Sequence, residues 1–285
     1  MMNENAFSVA MCVYNGDCAE NVKLAIDSVL NQSLKPDEVV LVVDGPISQS
    51  LEEVVRQYEI MPFFKVVRLK ENQGHGPARR TAMANCKNEI VALMDADDIC
   101  VPTRFEEQME QLKNDSEVAI VGSNIAEFIH SPENIVAYRN VPASDVQIKQ
   151  YMKRRCPMNQ MTVMFRKKDV DAVGGYLDWY CEEDYYLWLR MALANMKFVN
   201  IQENLVLVRV GEEMYRRRGG LRYFLSEAKL QKYMWDHKVI GFPIFMVNVA
   251  KRLVVQVLLP NRLRGWVFQK FARNEPTSSS LGGSK

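Results

Sequence analysis

Residues 38–45, EVVLVVDG, decide the fold class. Five consecutive apolar residues without polar alternation indicate a strand that is covered on both faces, as parallel strands between layers of helices are. The Asp-Gly pair that follows is a turn signal, so we expect the strand to stop there. The stretch therefore predicts an α/β protein built around a mostly parallel sheet.

Similar apolar segments alternate with helical patterns on both sides of this stretch. Strands are predicted at residues 7–14, 38–44, 64–69 and 89–94, and helices at residues 19–31, 50–58 and 76–85. This alternation is typical of a Rossmann-like sheet flanked by helices. Polar residues end three of the strands, at 14–16, 44–45 and 95–98. Because ligands of open α/β sheets bind at the carboxyl ends of the strands, we expect these three ends to line one crevice.

The pattern becomes less regular in the second half of the chain. A helix is predicted at residues 103–114, strands at 118–122 and 162–166, and a further helix at 184–194. No internal repeat and no long structureless linker marks a firm second domain.

Composition argues against several classes of protein. The 285 residues carry a formal net charge of +1 and are 48% hydrophobic, so bulk electrostatics do not favour nucleic acid as a partner. The six cysteines form no CxxC pair and there are three histidines, which excludes the usual zinc-site spacings. Residues 1–6 are polar and lack the layout of a secretory signal, which predicts a cytoplasmic protein with reduced thiols.

Closely spaced aspartates follow the strand predicted at 89–94. Asp95 and Asp97 place two carboxylates at a strand end. Oxygen ligands of this kind suit Mg²⁺ or Mn²⁺, and a diphosphate can complete the coordination shell. The alternative is that these aspartates only form a turn.

The segment NQGHGPARR at residues 72–80 opens a helix after the third predicted strand. Glycines such as Gly74 allow close backbone approach, and Arg79 projects near a helix N-terminus, which favours an anion. An ordinary strand-to-helix turn with a surface arginine is the alternative. The segment lacks P-loop spacing and no GxGxxG follows the first strand, which argues against ATP hydrolysis and NAD binding.

Acidic residues precede an aromatic helix start in the second half. Glu182, Glu183 and Asp184 stand directly before YYLWLR at residues 185–190. Aromatic neighbours can hold a carboxylate in a partly desolvated pocket, which favours a general base. The alternative is that the acids only complement the dipole of the helix.

Together these motifs resemble those of the family 2 glycosyltransferases with a GT-A fold. The similar segments, in order within residues 7–210, are FSVAMCVYNG at 7–16, VVDG at 42–45, NxGxxxAR at 72–79, MDADD at 94–98 and EDxxLW at 183–188. Within that family the sequence is most similar to bacterial transferases of the amylovoran-biosynthesis type, which build capsule, exopolysaccharide or O-antigen repeat units. The segments at 162–166, 174–176 and 215–220 support this narrower placement.

The resemblance implies a metal-dependent, inverting transfer of a hexose, galactose or glucose, from a UDP-sugar. It implies that Tyr14 and Asp44 contact the uracil and ribose of the donor. It also implies that Asn15, Gly74 and Arg79 lie near the nucleotide. Asp95 is expected to face the ribose and the metal, and Asp97 to bind Mn²⁺ or Mg²⁺. It assigns the catalytic base to Asp184 with Glu183 beside it. Trp188 is a further candidate for contact with the acceptor or the diphosphate. Arg216, Arg217 and Arg218 offer planar donors suited to the phosphate oxygens of a lipid-diphosphate acceptor or of the donor, and the alternative is a solvated basic loop. The Gln-x-x-Arg-Trp motif of processive synthases is missing, which favours single-sugar transfer.

The predicted domain organisation combines the extent of this resemblance, about residues 7–210, with the composition of the C-terminal part. We expect a GT-A domain at residues 1–220, with a donor half at about 1–100 and an acceptor half at about 101–220. A helical extension is expected at 221–275, and a disordered Ser/Gly-rich tail at 276–285.

The extension is basic and amphipathic. Residues 239–273 contain no acid, and six cations are interspersed with apolar side chains: Lys251, Arg252, Arg262, Arg264, Lys270 and Arg273. The uncharged stretch at 239–250 is shorter than the ~20 residues that span a bilayer, so the pattern predicts peripheral binding. The expected location is the inner face of the bacterial cytoplasmic membrane, with an undecaprenyl-diphosphate-linked sugar as acceptor. The alternative is a basic helix packed back on the domain.

Two other functions fit part of the pattern. A sugar-nucleotide nucleotidyltransferase would normally carry a Gly-rich, Lys/Arg-containing signature in its first strand-to-helix loop, and VYNGD at residues 13–17 is not of that kind. A non-catalytic nucleotide-sugar-binding protein would require that Asp184 is not positioned over the donor.

Overall fold

The computed structural model describes residues 5–211 and 219–259. Its elements in chain order are β1 (Phe7–Val13), α1 (Ala19–Leu30), β2 (Glu38–Val43), α2 (Gln49–Glu59), β3 (Phe64–Arg68), α3 (His75–Asn85), β4 (Ile90–Asp95), β5 (Ile99–Cys100), α4 (Arg104–Asn114), β6 (Val118–Phe128), β7 (Ile135–Arg139), α5 (Asp145–Met152), a 3₁₀ turn (Gln160–Thr162), β8 (Met164–Arg166), α6 (Lys167–Ala172), α7 (Glu183–Leu193), β9 (Lys197–Arg209), α8 (Leu221–Asp236), α9 (Phe242–Leu253) and a π-helical turn (Val254–Leu258). The strands and helices predicted in the first 114 residues are confirmed to within about one residue at each end.

The strands form one sheet in the spatial order β3-β2-β1-β4-β8-β6-β9-β5, with β7 beside β6. Strands β1 to β4 are parallel to one another, as their alternation with helices predicts. Strand β8 runs antiparallel between β4 and β6, while the long strands β6 and β9 are parallel. The predicted α/β fold is therefore confirmed, with a parallel first half and a mixed second half.

Strand β2 lies between two layers of core. Val39, Leu41 and Val43 pack toward α1 and α2, while Val40 and Val42 pack toward α3. Successive side chains of a strand point to opposite faces, so an unbroken apolar run supplies both cores at once. Each fully buried side chain of this size contributes about 1.5–3 kcal/mol, which commits the segment to the middle of the sheet.

The second half of the sheet departs from the sequence prediction. The strand predicted at 118–122 continues to Phe128, and its partner β9 was not predicted. Ser123 and Asn124 interrupt the apolar pattern, but the Asn124 amide donates to the Gln202 carbonyl at 2.9 Å and accepts from the Val141 N–H at 2.8 Å. These bonds satisfy a buried polar side chain, so the strand can continue through it. The strand predicted at 162–166 is shorter because residues 160–162 form the 3₁₀ turn.

Helix α8 packs against the domain rather than standing apart from it. Leu230 and Met234 are fully buried in the same hydrophobic core as the apolar residues of α7. The Tyr233 ring lies edge-on to the Tyr186 ring, with the two centroids 4.9 Å apart. Within residues 5–211 and 219–259, no helix combines the length and apolarity that crossing a bilayer requires. Residues 221–258 form two helices and a π-helical turn, and the division of the chain into a domain and an extension stays a prediction.

Gly45 is a position where this fold requires glycine. Its φ is +83°, and an added Cβ would lie 2.5 Å from the Asn72 backbone nitrogen. We expect Gly45→Ala to lower the free energy of unfolding by at least the ~1–3 kcal/mol of such a backbone conformation, measured by chemical denaturation.

Gly175→Ala is the matched control for this prediction. Gly175 also has a positive φ, +64°, but no atom lies within 4 Å of its added Cβ, so only the backbone strain applies. An equal loss of stability in both variants would contradict a tight contact between Gly45 and Asn72.

Candidate active site

Three predicted strand ends meet at one edge of the sheet. Strands β1, β2 and β4 are neighbours, and Cys12 pairs in register with both Val42 and Asp95. Tyr14 and Asp44 follow the ends of β1 and β2 at that same edge. The crevice expected at the carboxyl ends of these strands is therefore where the structure places the candidate residues.

Asp44 shapes the loop that leads into α3. Its buried carboxylate accepts hydrogen bonds from the backbone N–H groups of Gln73, at 2.7 Å, and Gly74, at 2.9 Å. Gly74 has a φ of +87° and precedes the first residue of α3. Asp44 thus holds the Gly74 loop against the end of β2, and its contact with uracil or ribose stays a prediction.

Tyr14 and Asn15 are exposed at the end of β1. The Tyr14 ring lies edge-on to the His75 ring, with centroids 6.5 Å apart. An added Cβ on Gly16 would lie 2.5 Å from the Tyr14 ring, so a larger residue at position 16 would displace this exposed ring. An exposed aromatic ring at this edge offers a face on which a planar base can stack.

Arg79 joins the two halves of the site. Its guanidinium lies 2.6 Å from Glu183 Oε1 and 3.1 Å from Asp95 Oδ1, and its side chain is only 12% exposed. The alternative interpretation as a surface arginine is therefore excluded. The two carboxylates accept hydrogen bonds from Arg79 Nη1 and Nη2, which the sequence analysis had considered available to bind an anion. That Arg79 lies near the nucleotide stays a prediction.

Asp184 stands in the first turn of α7, beside Glu183. Burial, and then the charge of Glu183, raise the pKa of Asp184 from 3.8 to about 6, although the Tyr185 N–H donates to its Oδ1 at 2.6 Å. Because the pKa lies just below neutral, the carboxylate is mostly ionised at pH 7 and still basic enough to accept a proton. These are the properties that the base prediction requires.

Glu182 is a buried acid whose importance the sequence did not reveal. Burial, then the charges of Glu227 and Asp184, hold the pKa of Glu182 well above its usual range. Glu227 belongs to α8, 45 residues further along the chain, and only the fold brings it close. Glu182, two residues before the candidate base, therefore interacts electrostatically with residues of the C-terminal helices.

Carboxylates crowd the end of β4. Asp98 is buried, and its Oδ1 accepts the Arg209 N–H at 2.9 Å. Burial, then the charges of Asp97 and Asp95, hold the pKa of Asp98 well above its usual range. Arg209 also donates from Nε to the Asp97 carbonyl at 3.3 Å. Arg209 was missed because it is 111 residues from Asp98 and carries no local motif.

This crowding is compatible with a divalent cation. Asp95 and Asp97 supply oxygen donors of the kind that Mg²⁺ and Mn²⁺ prefer, and their mutual repulsion with Asp98 would be relieved by a positive ion. Within the part of the chain that the structure describes, no group of three or more His, Cys, Asp or Glu side chains forms a metal-binding set. A metal held here would need oxygens from a ligand such as a diphosphate.

Trp188 lies in the core and not in the crevice. Its side chain is 0% exposed and meets the Tyr176 ring edge-on at 6.4 Å. The predicted contact of Trp188 with an acceptor is wrong, because α7 packs this side chain against the sheet and no part of it is accessible. Arg216, Arg217 and Arg218 lie outside the described residues.

Comparisons with known proteins identify the family of the chain. Residues 8–174 match the model of Glycosyl transferase family 2. The amylovoran biosynthesis glycosyltransferase AmsE of Erwinia amylovora is 34% identical, over 93% of this chain and 98% of its own length. The UDP-Gal:alpha-D-GlcNAc-diphosphoundecaprenol beta-1,3-galactosyltransferase of Escherichia coli is 33% identical, over 94% of this chain and 96% of its own length.

A solved structure supports the fold. The crystal structure of S. aureus TarS 1–349 in complex with UDP-GlcNAc aligns with a TM-score of 0.63 and 16% identity, over 93% of this chain and 76% of that chain. The sheet of this chain therefore has the GT-A fold of glycosyltransferases. The chain belongs to glycosyl transferase family 2.

Proposed function

We propose that this protein transfers a single hexose from a UDP-sugar to the sugar of a lipid-diphosphate acceptor, in the assembly of a bacterial surface polysaccharide. One observation carries the proposal: Arg79 pairs with Asp95 at the end of β4 and with Glu183 at the start of α7. The predicted donor residues and the predicted base Asp184 thereby belong to one site.

Asp184 acts as the general base in this proposal. Its carboxylate takes the proton of the acceptor hydroxyl while the acceptor oxygen bonds to the anomeric carbon of the donor. The bond from that carbon to the UDP oxygen breaks on the opposite face, and UDP leaves with the bonding electrons. Direct displacement inverts the anomeric centre, so an α-linked UDP-sugar gives a β-glycoside.

Asp95 and Asp97 would hold Mn²⁺ or Mg²⁺ together with oxygens of the donor diphosphate. When bound, such an ion neutralises the negative charge that grows on the departing UDP. The proposal is supported by the crowding of Asp98 with these two acids. Arg79 holds one carboxylate oxygen of Asp95 through its 3.1 Å ion pair.

The name of one relative supports a specific choice of donor and acceptor. The E. coli relative is named for a UDP-galactose donor and a GlcNAc-diphosphoundecaprenol acceptor. We infer the same acceptor class here, an undecaprenyl-diphosphate-linked sugar, with galactose as the first candidate donor sugar and glucose as the second. For such an acceptor we propose peripheral binding at the inner face of the cytoplasmic membrane. Arg216, Arg217 and Arg218 are proposed to contact the acceptor diphosphate, for which planar guanidinium donors are suited.

A transfer assay tests the proposed function. Incubation with radiolabelled UDP-galactose or UDP-glucose and a GlcNAc-diphospholipid should place the label on the lipid through a β-linkage. Formation of a UDP-sugar from UTP and a sugar phosphate would instead identify a nucleotidyltransferase. Binding of the UDP-sugar without any product would identify a non-catalytic binding protein.

A further inference from the structure

Helix α9 and the π-helical turn after it bury polar side chains and expose apolar ones. The fully buried residues of this segment are Asn248 and Gln256, and the Arg252 side chain between them is 13% exposed. Exposed apolar residues of the same segment are Phe242, Ile244, Met246, Val247, Leu253, Val254, Val257 and Leu258. A helix of a water-exposed surface has the opposite pattern.

The buried polar residues form a stripe that binds the domain. Asn248, Arg252 and Gln256 are four residues apart and therefore lie on one side of the helix. The Asn248 amide donates to Gln231 Oε1 at 2.8 Å, and Arg252 Nε lies 2.8 Å from Glu227 Oε2, which also accepts from the Gln256 amide. Both acceptors belong to α8.

These contacts determine which face of the segment points outward. Turning α9 to hide its apolar side chains would remove the partners of a buried arginine and two buried amides, which is costly. The apolar face is therefore held outward by specific hydrogen bonds and an ion pair. Its exposure is therefore a consequence of these contacts and not of loose packing.

We propose that this apolar face inserts into the surface of a lipid bilayer. Leu258 is 66% exposed and Phe242 is 53% exposed. The Trp235 ring lies at the edge of the face, with its centroid 5.5 Å from the centroid of the Phe242 ring. Exposed cations, Lys238 and Lys251, stand at this surface, and residues 239–273 contain no acid. Asp236, the acid next to Trp235 in sequence, is paired with Lys232 at 2.6 Å. An apolar face with an aromatic ring at its edge and exposed lysines beside it is complementary to anionic lipid headgroups.

The insertion is in the plane of the membrane. Helix α9 has 12 residues, too few to span a hydrocarbon core that needs about 20. The stripe also connects the inserted segment to the site, because Glu227 and Arg252 both influence the pKa of Glu182, two residues before Asp184. This inference rests on the proposed function for its choice of membrane, since that is where a lipid-linked acceptor is found.

Vesicle flotation of the full chain tests the insertion. We expect the protein to float with phosphatidylglycerol/phosphatidylethanolamine vesicles even at about 1 M NaCl, where the Debye length is about 3 Å and electrostatic attraction is screened. The triple variant Met246→Asp, Val247→Asp, Leu258→Asp should lose flotation at that salt concentration. It should keep the thermal midpoint of the wild type and its transfer rate to a short-chain acceptor.

A matched control replaces three exposed apolar residues elsewhere. Ile60, Val146 and Leu24 are 84%, 78% and 47% exposed, so the variant with Asp at all three makes the same chemical change. It should float like the wild type. Equal flotation of the two triple variants, or a wild type that floats only at low salt, would overturn the proposal.

Other occupants of the face have distinguishable outcomes. A dimer in sedimentation analysis that the Met246, Val247, Leu258 variant converts to monomer, with flotation unchanged, would identify a second copy of the chain. A lower thermal midpoint in that variant, again with flotation unchanged, would identify cover by this chain's own residues 260–285. Because flotation needs no sugar donor, loss of transfer with flotation retained would count against the proposed function alone.

Discussion

Asp184→Asn is expected to lower kcat by about 10²–10⁴-fold, the usual contribution of a positioned general base. The substitution keeps the shape of the side chain and removes its ability to take the acceptor proton. Binding of UDP should persist, because the acceptor hydroxyl and not the nucleotide meets this carboxylate in the proposed reaction. Initial rates at saturating donor and acceptor, with calorimetric titration of UDP, measure the two effects separately.

The pH dependence provides a second readout of the same group. Since the pKa of Asp184 is raised to about 6, by burial and then by Glu183, the wild-type kcat/KM should rise with pH through about 6 and level off above it. Below that pH the carboxyl is protonated and cannot accept the proton. The Asp184→Asn variant should lack this rise.

Asp171→Asn is the matched control, because Asp171 is an exposed carboxylate paired with Lys167 at 2.7 Å. It makes the same chemical change and should leave both kcat and the pH profile as in the wild type. A wild-type rate in Asp184→Asn would show that the base lies elsewhere.

Asp97→Ala is expected to abolish transfer. In the proposal Asp97 and Asp95 would hold a divalent ion, and such an ion would supply the positive charge that opposes the charge growing on the departing UDP. The product of the radiolabelled transfer assay is the measurement. Asp236→Ala is a suitable control, since Asp236 is an exposed carboxylate of α8 paired with Lys232 at 2.6 Å.

Removal of the metal should have the same effect on the wild type. EDTA should stop transfer, and excess Mn²⁺ or Mg²⁺ should restore it to the wild type but not to Asp97→Ala. Full wild-type activity in EDTA would exclude the metal role of this strand end. Loss of activity in Asp97→Ala together with insensitivity to EDTA would point instead to a direct role of the carboxylate.

The structure explains why Asp184 rather than Glu183 is the candidate base. Glu183 Oε1 is held by Arg79 at 2.6 Å, and its side chain is 10% exposed. One oxygen of the Glu183 carboxylate is therefore occupied by the Arg79 guanidinium. Asp184 has the raised pKa and a partly exposed side chain, so the two adjacent acids have different environments.

Much of the fold was predictable from local pattern. The first four strands and the helices between them have unbroken apolar runs and clear turn signals, such as EVVLVVDG at residues 38–45. Strand β9 and the second half of β6 were not predictable in this way. Their polar residues, Asn124 among them, are satisfied by partners 17 to 78 residues away, which no local pattern displays.

Local sequence was enough to predict the α/β class and the acidic strand end at Asp95, because short-range periodicity and strand-end chemistry are local properties. The roles of Tyr14, Asp44 and Asp184 came from the resemblance to the family 2 glycosyltransferases and stay predictions. The contacts of Arg79 with Asp95 and Glu183, the contact of Arg209 with Asp98 and the burial of Trp188 become visible in the folded chain alone. The tertiary structure also decided which face of α9 points outward. These outcomes depend on desolvation and on partners distant in the chain, and the energy of a buried charge is set by its three-dimensional neighbours.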